Sequence, residues 1–528
     1  MRPLPLGLVA GLLATAFLAL LLAVPLVAVV ARGLADGPWA TLRAVASDPY
    51  LLSRLGLTVV QATLSTLLTV AIGIPGALAF ARWRFPGKRL VRAAFTVPFV
   101  MPTVVAGAGF LAWLGPGGAA GLDLSDTLAL VLLAHVFYNH AVVVRMVGGF
   151  LEANAPKLRD AAATLGAGPW RTMRRVTLPL AAPAILAAAA LVFVFCFTSF
   201  GVILILAPGG GWNTLEVEIY RNLSRVLRLD VAATLALVQL AVALSVGGVY
   251  TALQARAAVP LSAATPLPRP GRVGAVVLIL ALLPPALLTA APLLALAGRA
   301  FVPPGADGFT LMGVRAAFTP SGLSGVTTAT QAAWNSLRFA LMGGGAAVVV
   351  GVAFAFAVVR GRWRVLDRAS LLPLATSAVT LGLGYLLAWP YLAGTFWGLA
   401  MAHALIAVPF VVRSVLPSLR GIPASRTAAA ATAGAGPWRR AWRIDLPAMT
   451  SGLATGAGFA AAVSLGEFGA ALVLARPEHA TLPVAIYQRL SRPGAENYAA
   501  AMVMALLLMI LTALVIAVLD RWGGESEF

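Results

Sequence analysis

The chain has 528 residues, of which 60% are hydrophobic and only 11% are charged. Because soluble domains carry about 25% charged residues, this composition excludes an ordinary water-soluble enzyme, a disordered chain and a coiled coil. The formal net charge of +20 is compatible with nucleic-acid binding. Basic residues beside the cytoplasmic ends of membrane spans produce the same excess, however, and we favour that interpretation. We therefore expect membrane lipid, and no nucleic acid, around this protein.

Apolar runs long enough to cross a bilayer as a helix recur along the whole sequence. They predict an all-α polytopic membrane protein with about twelve transmembrane helices. The first run follows a single basic residue and is too long for a signal-peptide core, so we expect it to be retained as a span. The predicted spans are 5–31, 57–81, 93–114, 127–147, 182–206, 232–255, 273–298, 336–359, 370–388, 392–412, 452–475 and 499–519.

The distribution of basic residues predicts the orientation of these spans. With the N-terminus in the cytoplasm, 26 of the 38 lysines and arginines fall on the cytoplasmic side and 12 on the other. Since positive charge accumulates on the cytoplasmic side, both termini are expected there. The single cysteine, Cys196, lies inside an apolar run and leaves no pairing for an intrachain disulfide.

A proline-rich segment between the sixth and seventh spans predicts a division of the chain into two halves. It contains four prolines, which favour extended backbone over helix. The prediction is a first transmembrane half at 1–256, a cytoplasmic linker at 257–273 and a second transmembrane half at 274–528. Each half would hold six spans and enter the membrane in the same orientation.

An internal repeat supports this division. Residues 161–179 read AAATLGAGPWRTMRRVTLP, residues 429–447 read AAATAGAGPWRRAWRIDLP, and 13 of these 19 positions are identical. The same offset of 268 residues aligns His135 with His403 and Phe200 with Phe468. An offset one residue shorter aligns IYRNLSR (219–225) with IYQRLSR (486–492). The chain is therefore a tandem duplication.

The strongest repeat lies in a predicted cytoplasmic loop. Alanines and helix formers precede Gly166, which begins a glycine turn, and Pro169 suits the first position of a new helix. Two short helices joined by a glycine turn would form a compact docking element. The alternative is an amphipathic helix lying on anionic lipid, which would not require the same GAGPWR turn twice.

The spacing of these loops is similar to that of the EAA loop of ABC importer permeases. The resemblance implies that each loop docks one ATP-binding subunit. The first copy has Asp160 where the family favours glutamate and the second has Ala428, so the two docks need not be equivalent. The implied coupling residues are Asp160, Ala161, Ala162, Gly166, Gly168, Pro169, Leu178 and Pro179 in the first copy and Ala428, Ala429, Ala430, Gly434, Gly436, Pro437, Leu446 and Pro447 in the second.

The resemblance extends over the chain through the fused two-half subgroup of these permeases. It implies the type I ABC importer permease fold, a location in a bacterial inner membrane, two copies of an ATPase subunit and an external substrate-binding protein. Within the subgroup the sequence is most similar to thiamine permeases, followed by ferric-iron permeases. The chain contains no phosphate-binding loop, HExxH or GxSxG motif, so ATP and Mg²⁺ are expected on the partner ATPase and no cofactor or catalytic residue on this chain.

Candidate residues for the translocation path lie inside the predicted spans. Glu467 is an ionisable residue within the predicted eleventh span. Burying such a group in the membrane costs free energy, which points to a functional role. Its counterpart in the repeat is Ser199. A carboxylate suits a cationic cargo, and Phe200 and Phe468, together with Phe195 and Phe197, would offer cation–π contacts. The matched histidines are expected to bond neighbouring helices, with no metal site.

Two other classes of membrane protein remain as alternatives. An ion-coupled secondary transporter with parallel repeats usually needs several buried ionisable residues, whereas Glu467 is expected to be nearly alone. A membrane-embedded enzyme would need a catalytic constellation that the sequence does not contain.

Overall fold

The computed structural model describes residues 6–35, 37–257, 267–320 and 326–522, and over these ranges its regular structure is entirely helical. In this described part, nine helices are individually long and apolar enough to cross a membrane. The number rises to twelve when three bent helix pairs are each taken as one span. The twelve segments follow the order of the predicted spans, so the polytopic all-α fold is confirmed.

The first half contains five unbroken spans and one broken one. One short helix follows the first span, and two short helices follow the fifth. In chain order the helices are α1 (Leu6–Gly33), α2 (Pro38–Ser47), α3 (Pro49–Arg82), α4 (Lys88–Val100), α5 (Thr103–Leu114), α6 (Leu128–Thr164), α7 (Pro169–Phe197), α8 (Gly201–Leu206), α9 (Leu215–Arg221) and α10 (Leu229–Ala257).

The second half repeats this order, with two of its helices divided. Its helices are α11 (Arg272–Phe301), α12 (Met312–Phe318), α13 (Ala329–Val359), α14 (Arg364–Ala375), α15 (Ala378–Ala388), α16 (Phe396–Arg420), α17 (Ala424–Thr432), α18 (Pro437–Ala448), α19 (Thr450–Gly466), α20 (Gly469–Leu474), α21 (Leu482–Leu490) and α22 (Ala495–Trp522). The pair α16 and α17 corresponds to α6, and the pair α18 and α19 corresponds to α7.

The prediction of continuous third and ninth spans is wrong, because each is sharply bent. The chain direction bends by 103° between α4 and α5 and by 97° between α14 and α15. In the first half, Met101 is held in an extended conformation before Pro102, as expected for a residue that precedes proline. In the second half, the Ser377 hydroxyl accepts from the Thr380 N–H at 3.0 Å and caps α15.

The fifth and eleventh spans end earlier than predicted. Helix α7 ends at Phe197 and α19 ends at Gly466, and after each a break of three or two residues precedes the next short helix. The backbone is tightly packed here, since a Cβ on Gly201 would lie 2.6 Å from the Thr103 hydroxyl oxygen. Glu467 therefore lies in the break between α19 and α20 and not, as predicted, inside a continuous eleventh span.

The first span of each half packs against the other half. Gly384 on α15 allows α1 to approach closely, since an added Cβ would lie 2.8 Å from the Pro25 Cβ. In the same way, an added Cβ on Gly109 of α5 would lie 2.8 Å from the carbonyl oxygen of Pro292 on α11. These matched glycine–proline contacts join the two halves into one bundle.

The central part of the predicted linker lies outside the described residues. Helix α10 ends at Ala257 and α11 begins at Arg272, while 258–266 are not described. The Arg84 N–H donates to the Pro268 carbonyl oxygen at 3.0 Å, which ties the described end of this segment to the first half. The domain boundaries and the orientation of the termini stay predictions.

Candidate functional site

The first predicted docking loop is a helix–glycine turn–helix. After α6 ends at Thr164, the Gly166 N–H donates to the Ala163 carbonyl at 3.0 Å and the Ala167 N–H donates to the Ala162 carbonyl at 3.0 Å. This pair of bonds closes the C-terminus of a helix when one residue adopts a left-handed conformation, and Gly166 has φ +75°. The geometry explains why glycine occupies this position.

The second loop has the same turn, with the same glycine conformation and the same two hydrogen bonds. Gly434 has φ +74°, its N–H donates to the Ala431 carbonyl at 3.0 Å, and the Ala435 N–H donates to the Ala430 carbonyl at 2.9 Å. In both loops a proline, Pro169 or Pro437, then begins the next helix. The predicted local structure of the repeat is therefore confirmed in both copies.

Both loops present most of the implied coupling residues to solvent. Large apolar side chains accompany them: Trp170 is 76% exposed and Trp442 is 69% exposed. Large exposed apolar groups on a charged loop are typical of an interaction surface. The exposed coupling residues are Asp160, Ala161, Gly166, Gly168, Pro169, Pro179, Ala428, Ala429, Gly434, Gly436, Pro437 and Pro447; Leu178, Ala430 and Leu446 are half-buried, and Ala162 is buried.

The two loops differ in how they join the membrane spans. Helix α6 runs without interruption from its span into the first loop, whereas α16 ends at Arg420 and a short break precedes α17. The second loop is also held by an ion pair between Arg360 and Asp445, with a nitrogen–oxygen distance of 2.6 Å. Thr177 stands at the position of Asp445 in the first repeat.

Ion pairs of opposite polarity hold the base of each loop. In the first half, Glu152 on α6 pairs with Lys88 at 2.9 Å and with Arg92 at 2.5 Å. In the second half, Arg420 on α16 pairs with Asp367 at 2.7 Å. Each pair links the fourth span of a half to the first segment of its broken third span, so the same connection is preserved with the charges exchanged.

Four aromatic side chains form a symmetric cluster where the two halves meet. The rings of Phe200 and Phe468 are stacked, with centroids 5.6 Å apart and an interplanar angle of 24°. Tyr220 packs edge-on against Phe200 with ring centroids 5.3 Å apart, and Tyr487 packs edge-on against Phe468 with ring centroids 5.6 Å apart. We call Tyr220, Phe200, Phe468 and Tyr487 the aromatic cluster.

The aromatic cluster lies far from the docking loops. Helix α7 connects the first loop to Phe197 and has 29 residues, which corresponds to about 40 Å at 1.5 Å per residue. The other two predicted phenylalanines lie outside the cluster. The ring centroids of Phe195 and Phe99 are 6.0 Å apart, and the fully buried Phe197 stacks on Phe193. Only Phe200 and Phe468 of the four candidates belong to the cluster.

The repeat-related histidines contact the repeat-related residues Ser199 and Glu467. His135 is hydrogen-bonded through Nε2 to the Ser199 hydroxyl at 2.9 Å and through Nδ1 to Ser65 at 2.8 Å. His403 is hydrogen-bonded through Nδ1 to Ser464 at 2.7 Å, and its Nε2 lies 3.8 Å from Glu467 Oε2. Both histidines thus bond neighbouring helices, as expected from their matched positions.

The Glu467 carboxylate caps a helix. Its Oε1 accepts from the Ala470 N–H and its Oε2 from the Ala471 N–H, both at 2.8 Å. These are N–H groups of the first turn of α20, which have no partner inside that helix. The described contacts therefore favour a capping role for Glu467 over direct contact with cargo.

Three further charged side chains outside the docking loops are buried, which the sequence did not predict. Glu216 and Glu218 on α9 are 1% and 3% exposed, and Arg489 on α21 is 3% exposed, so the prediction that Glu467 is nearly alone is wrong. The predicted spans leave these residues in the loops between the fifth and sixth spans and between the eleventh and twelfth spans. The repeated IYRNLSR and IYQRLSR segments were the signal that matched helices lie there.

Comparison with known proteins identifies the family. Residues 69–259 match the family described as binding-protein-dependent transport system inner membrane component. The thiamine transport system permease protein ThiP of Escherichia coli (strain K12) is 29% identical over 518 residues, which cover 92% of this chain and 91% of that protein.

Two further similarities cover about half of the chain. The sulfate transport system permease protein CysT of Escherichia coli (strain K12) is 30% identical over 236 residues, or 43% of this chain and 84% of that protein. A chain from the crystal structure of a bacterial ABC transporter involved in the import of the acidic polysaccharide alginate superposes with a TM-score of 0.41 and 18% identity, covering 47% of this chain and 95% of that one. The protein described here belongs to the family of binding-protein-dependent ABC importer permeases of the inner membrane.

Proposed function

We propose that this chain is the permease subunit of an ATP-driven importer for thiamine. The observation that carries the proposal is the similarity to a thiamine permease along nearly the full length of both chains. A doubled docking loop within a single chain fits a fused permease in which both halves of the path are supplied by one polypeptide. One copy of this chain would then be sufficient for a complete importer.

In this proposal the two loops are the sites where two copies of an ATPase subunit dock. The exposed tryptophans and the rigid glycine turns support this role, because a docking element must transmit force without changing its own shape. ATP and Mg²⁺ would be bound by the ATPase, and this chain would not hydrolyse ATP. The two docks would respond unequally, since only the second has a break between its span and its docking helix.

The aromatic cluster would close the translocation path on the side away from the docking loops. In the predicted orientation this is the external side, where a substrate-binding protein delivers cargo. Phe200 and Phe468 lie on the two halves, so separating the halves would part their rings and open the path. Ser199 would position Phe200 through its bond to His135, and Glu467 would position Phe468 by capping α20.

The proposed cargo is favoured by the chemistry of this region. Thiamine carries a permanently charged thiazolium ring, and stacked aromatic faces bind flat organic cations through their π systems. Buried carboxylates at Glu216 and Glu467 disfavour a dianion such as sulfate, which is the cargo named for the shorter relative. Ferric iron is the alternative cargo that fits the negative charge.

Uptake by cells tests this proposal. Cells with and without the gene would receive radiolabelled thiamine, ferric iron and sulfate in parallel. We expect loss of the gene to abolish ATP-dependent thiamine uptake and to leave the other two unchanged. Loss of iron or sulfate uptake alone would overturn the proposed cargo while leaving the permease function in place.

A further inference from the structure

Glu216 is a buried carboxylate at the contact between the two halves. It lies on α9 in the first half and is 1% exposed, and its Oε2 accepts a hydrogen bond from the Gln239 side-chain amide on α10. Helix α9 packs against α15 of the second half, with Ser377 and Val379 at the start of α15 lying near the carboxylate but making no hydrogen bond of acceptable geometry with it. Helices α9 and α15 would have to separate for this group to become accessible.

The charge of Glu216 is not matched by a cation. Within the described ranges, no Lys, Arg or His nitrogen lies within 4.0 Å of its carboxylate oxygens. Its Oε1 is buried without a hydrogen-bond partner of acceptable geometry. Ionisable groups buried in a membrane protein normally pair with each other, so an unpaired carboxylate points to a cation that arrives from elsewhere.

The neighbouring carboxylate of Glu218 shows the contrast. Its Oε1 accepts from the Tyr50 hydroxyl at 2.9 Å and from the Asn213 amide at 3.0 Å, and it pairs with Arg221 at 3.2 Å. Glu467 is also engaged through both of its oxygens. Among these three glutamates, Glu216 is the one whose described contacts leave a fully buried oxygen without a hydrogen-bond partner.

Glu216 is on the same short helix as Tyr220 of the aromatic cluster. It precedes Tyr220 by four residues, and residues at this spacing share a helix face. Tyr220 in turn packs against Phe200. The repeat carries Pro483 at the position of Glu216, so the duplicated cluster has one such carboxylate and not two.

We infer that Glu216 is the anionic group of a cation site that forms when α9 and the start of α15 separate. Its ligand is a flat organic cation, with the carboxylate beside the positive charge and the rings of the aromatic cluster against its faces. This inference rests on the proposed function and assigns the charge selection within it to one residue. When the path is closed, Gln239 and the start of α15 occupy the position of the cargo.

The test compares Glu216→Gln with the matched control Glu218→Gln on the same helix. Each variant of the full chain would be assembled with its ATPase and binding protein in proteoliposomes. Two quantities would be measured per amount of folded protein: uptake of radiolabelled thiamine and ATP hydrolysis stimulated by the loaded binding protein. Glu216→Asp, which keeps the charge, would be included as the conservative variant.

We expect Glu216→Gln to lower thiamine uptake at least tenfold while stimulated ATP hydrolysis stays within twofold of wild type. Glu216→Asp should restore part of the uptake, and Glu218→Gln should leave it within twofold. Normal uptake by Glu216→Gln would overturn the inference. So would a parallel loss of uptake and stimulated hydrolysis, because that result indicates a residue that only holds the halves together.

Failure of the proposed cargo gives a different pattern. If the wild-type importer carries another organic cation instead of thiamine, the inference predicts the same tenfold loss for that cation in Glu216→Gln. If the wild type carries ferric iron or an anion such as sulfate, the inference is overturned, whereas the assignment as a permease stands.

Discussion

The rings of Phe200 and Phe468 are stacked 5.6 Å apart, one contributed by each half of a duplicated chain. The two residues occupy the same position in the repeat, at an offset of 268. Their stacking therefore places the pseudo-twofold axis of the duplication between the two rings. A contact on this axis is made or broken by the relative movement of the halves, which makes it suited to gating.

Removing one ring should weaken the closed state of the path. A stacked aromatic pair contributes about 0.5–1.5 kcal/mol beyond the area it buries, so Phe200→Ala or Phe468→Ala should shift the equilibrium toward the open state by about two- to tenfold. We expect a matching rise in ATP hydrolysis without cargo in the assembled importer. Phe309→Ala is the control, because Phe309 stacks on Phe301 but is 72% exposed. Equal effects of all three substitutions would contradict the gating role.

The docking turns should depend on the left-handed conformation of their glycines. Gly166→Ala and Gly434→Ala should each cost about 1–2 kcal/mol, because a left-handed conformation brings the new Cβ close to the carbonyl oxygen. Proline at either position should abolish docking of the ATPase and transport while leaving membrane insertion intact. Copurification of the ATPase with the tagged chain measures docking.

Gly149→Ala provides the control for the docking turns. Gly149 lies on α6, is not one of the implied coupling residues and has no atom within 4 Å of the position of an added Cβ, so alanine fits there without strain. We expect wild-type copurification for this variant. If Gly166→Pro retained normal cargo-stimulated ATP hydrolysis, the docking assignment would be wrong.

Glu467 should contribute more to stability than to cargo recognition. Replacing it with alanine removes two charge-assisted hydrogen bonds to the start of α20, each worth about 1.5–3 kcal/mol. We expect a lower thermal unfolding temperature in detergent, with thiamine uptake per folded molecule retained within about threefold. A stable Glu467→Ala protein that has lost uptake would instead identify Glu467 as a cargo contact, as the sequence alone had indicated.

The glycine–proline contacts between the halves should be sensitive to added volume. Gly109→Val and Gly384→Val each place side-chain atoms on tightly packed backbone, and overpacking of this kind costs about 1–3 kcal/mol. We expect lower yields of folded protein and a lower unfolding temperature for both. Gly298→Ala on α11 has open space at its Cβ position and should be neutral or slightly stabilising. Similar losses from all three changes would argue against a specific contact.

The features that the sequence predicted are those encoded by composition and by the repeat. Apolar length gave the number and order of the spans, because lipid requires about 20 apolar residues per helix. The GAGPWR segment predicted the turn at Gly166, since a glycine before a helix-starting proline has few alternatives. The offset of 268 pairs Phe200 with Phe468, and the structure places their rings in contact.

The features that the sequence did not predict depend on tertiary packing. The breaks near Pro102 and Ser377 lie inside uniformly apolar runs, where hydropathy does not distinguish one helix from two. Glu216 lies in a polar segment that resembles an external loop, and its burial results from the approach of α15 of the other half. The role of Glu467 as a cap likewise depends on a helix end that hydropathy did not reveal.

The most direct test of the account is thiamine accumulation in proteoliposomes that contain this chain, its ATPase and its binding protein. We predict accumulation that requires ATP and the binding protein and that is unaffected when proton and sodium gradients are collapsed. Gly434→Pro should abolish it. Thiamine accumulation that proceeds without ATP and disappears with the ion gradients would contradict the account and identify a secondary transporter.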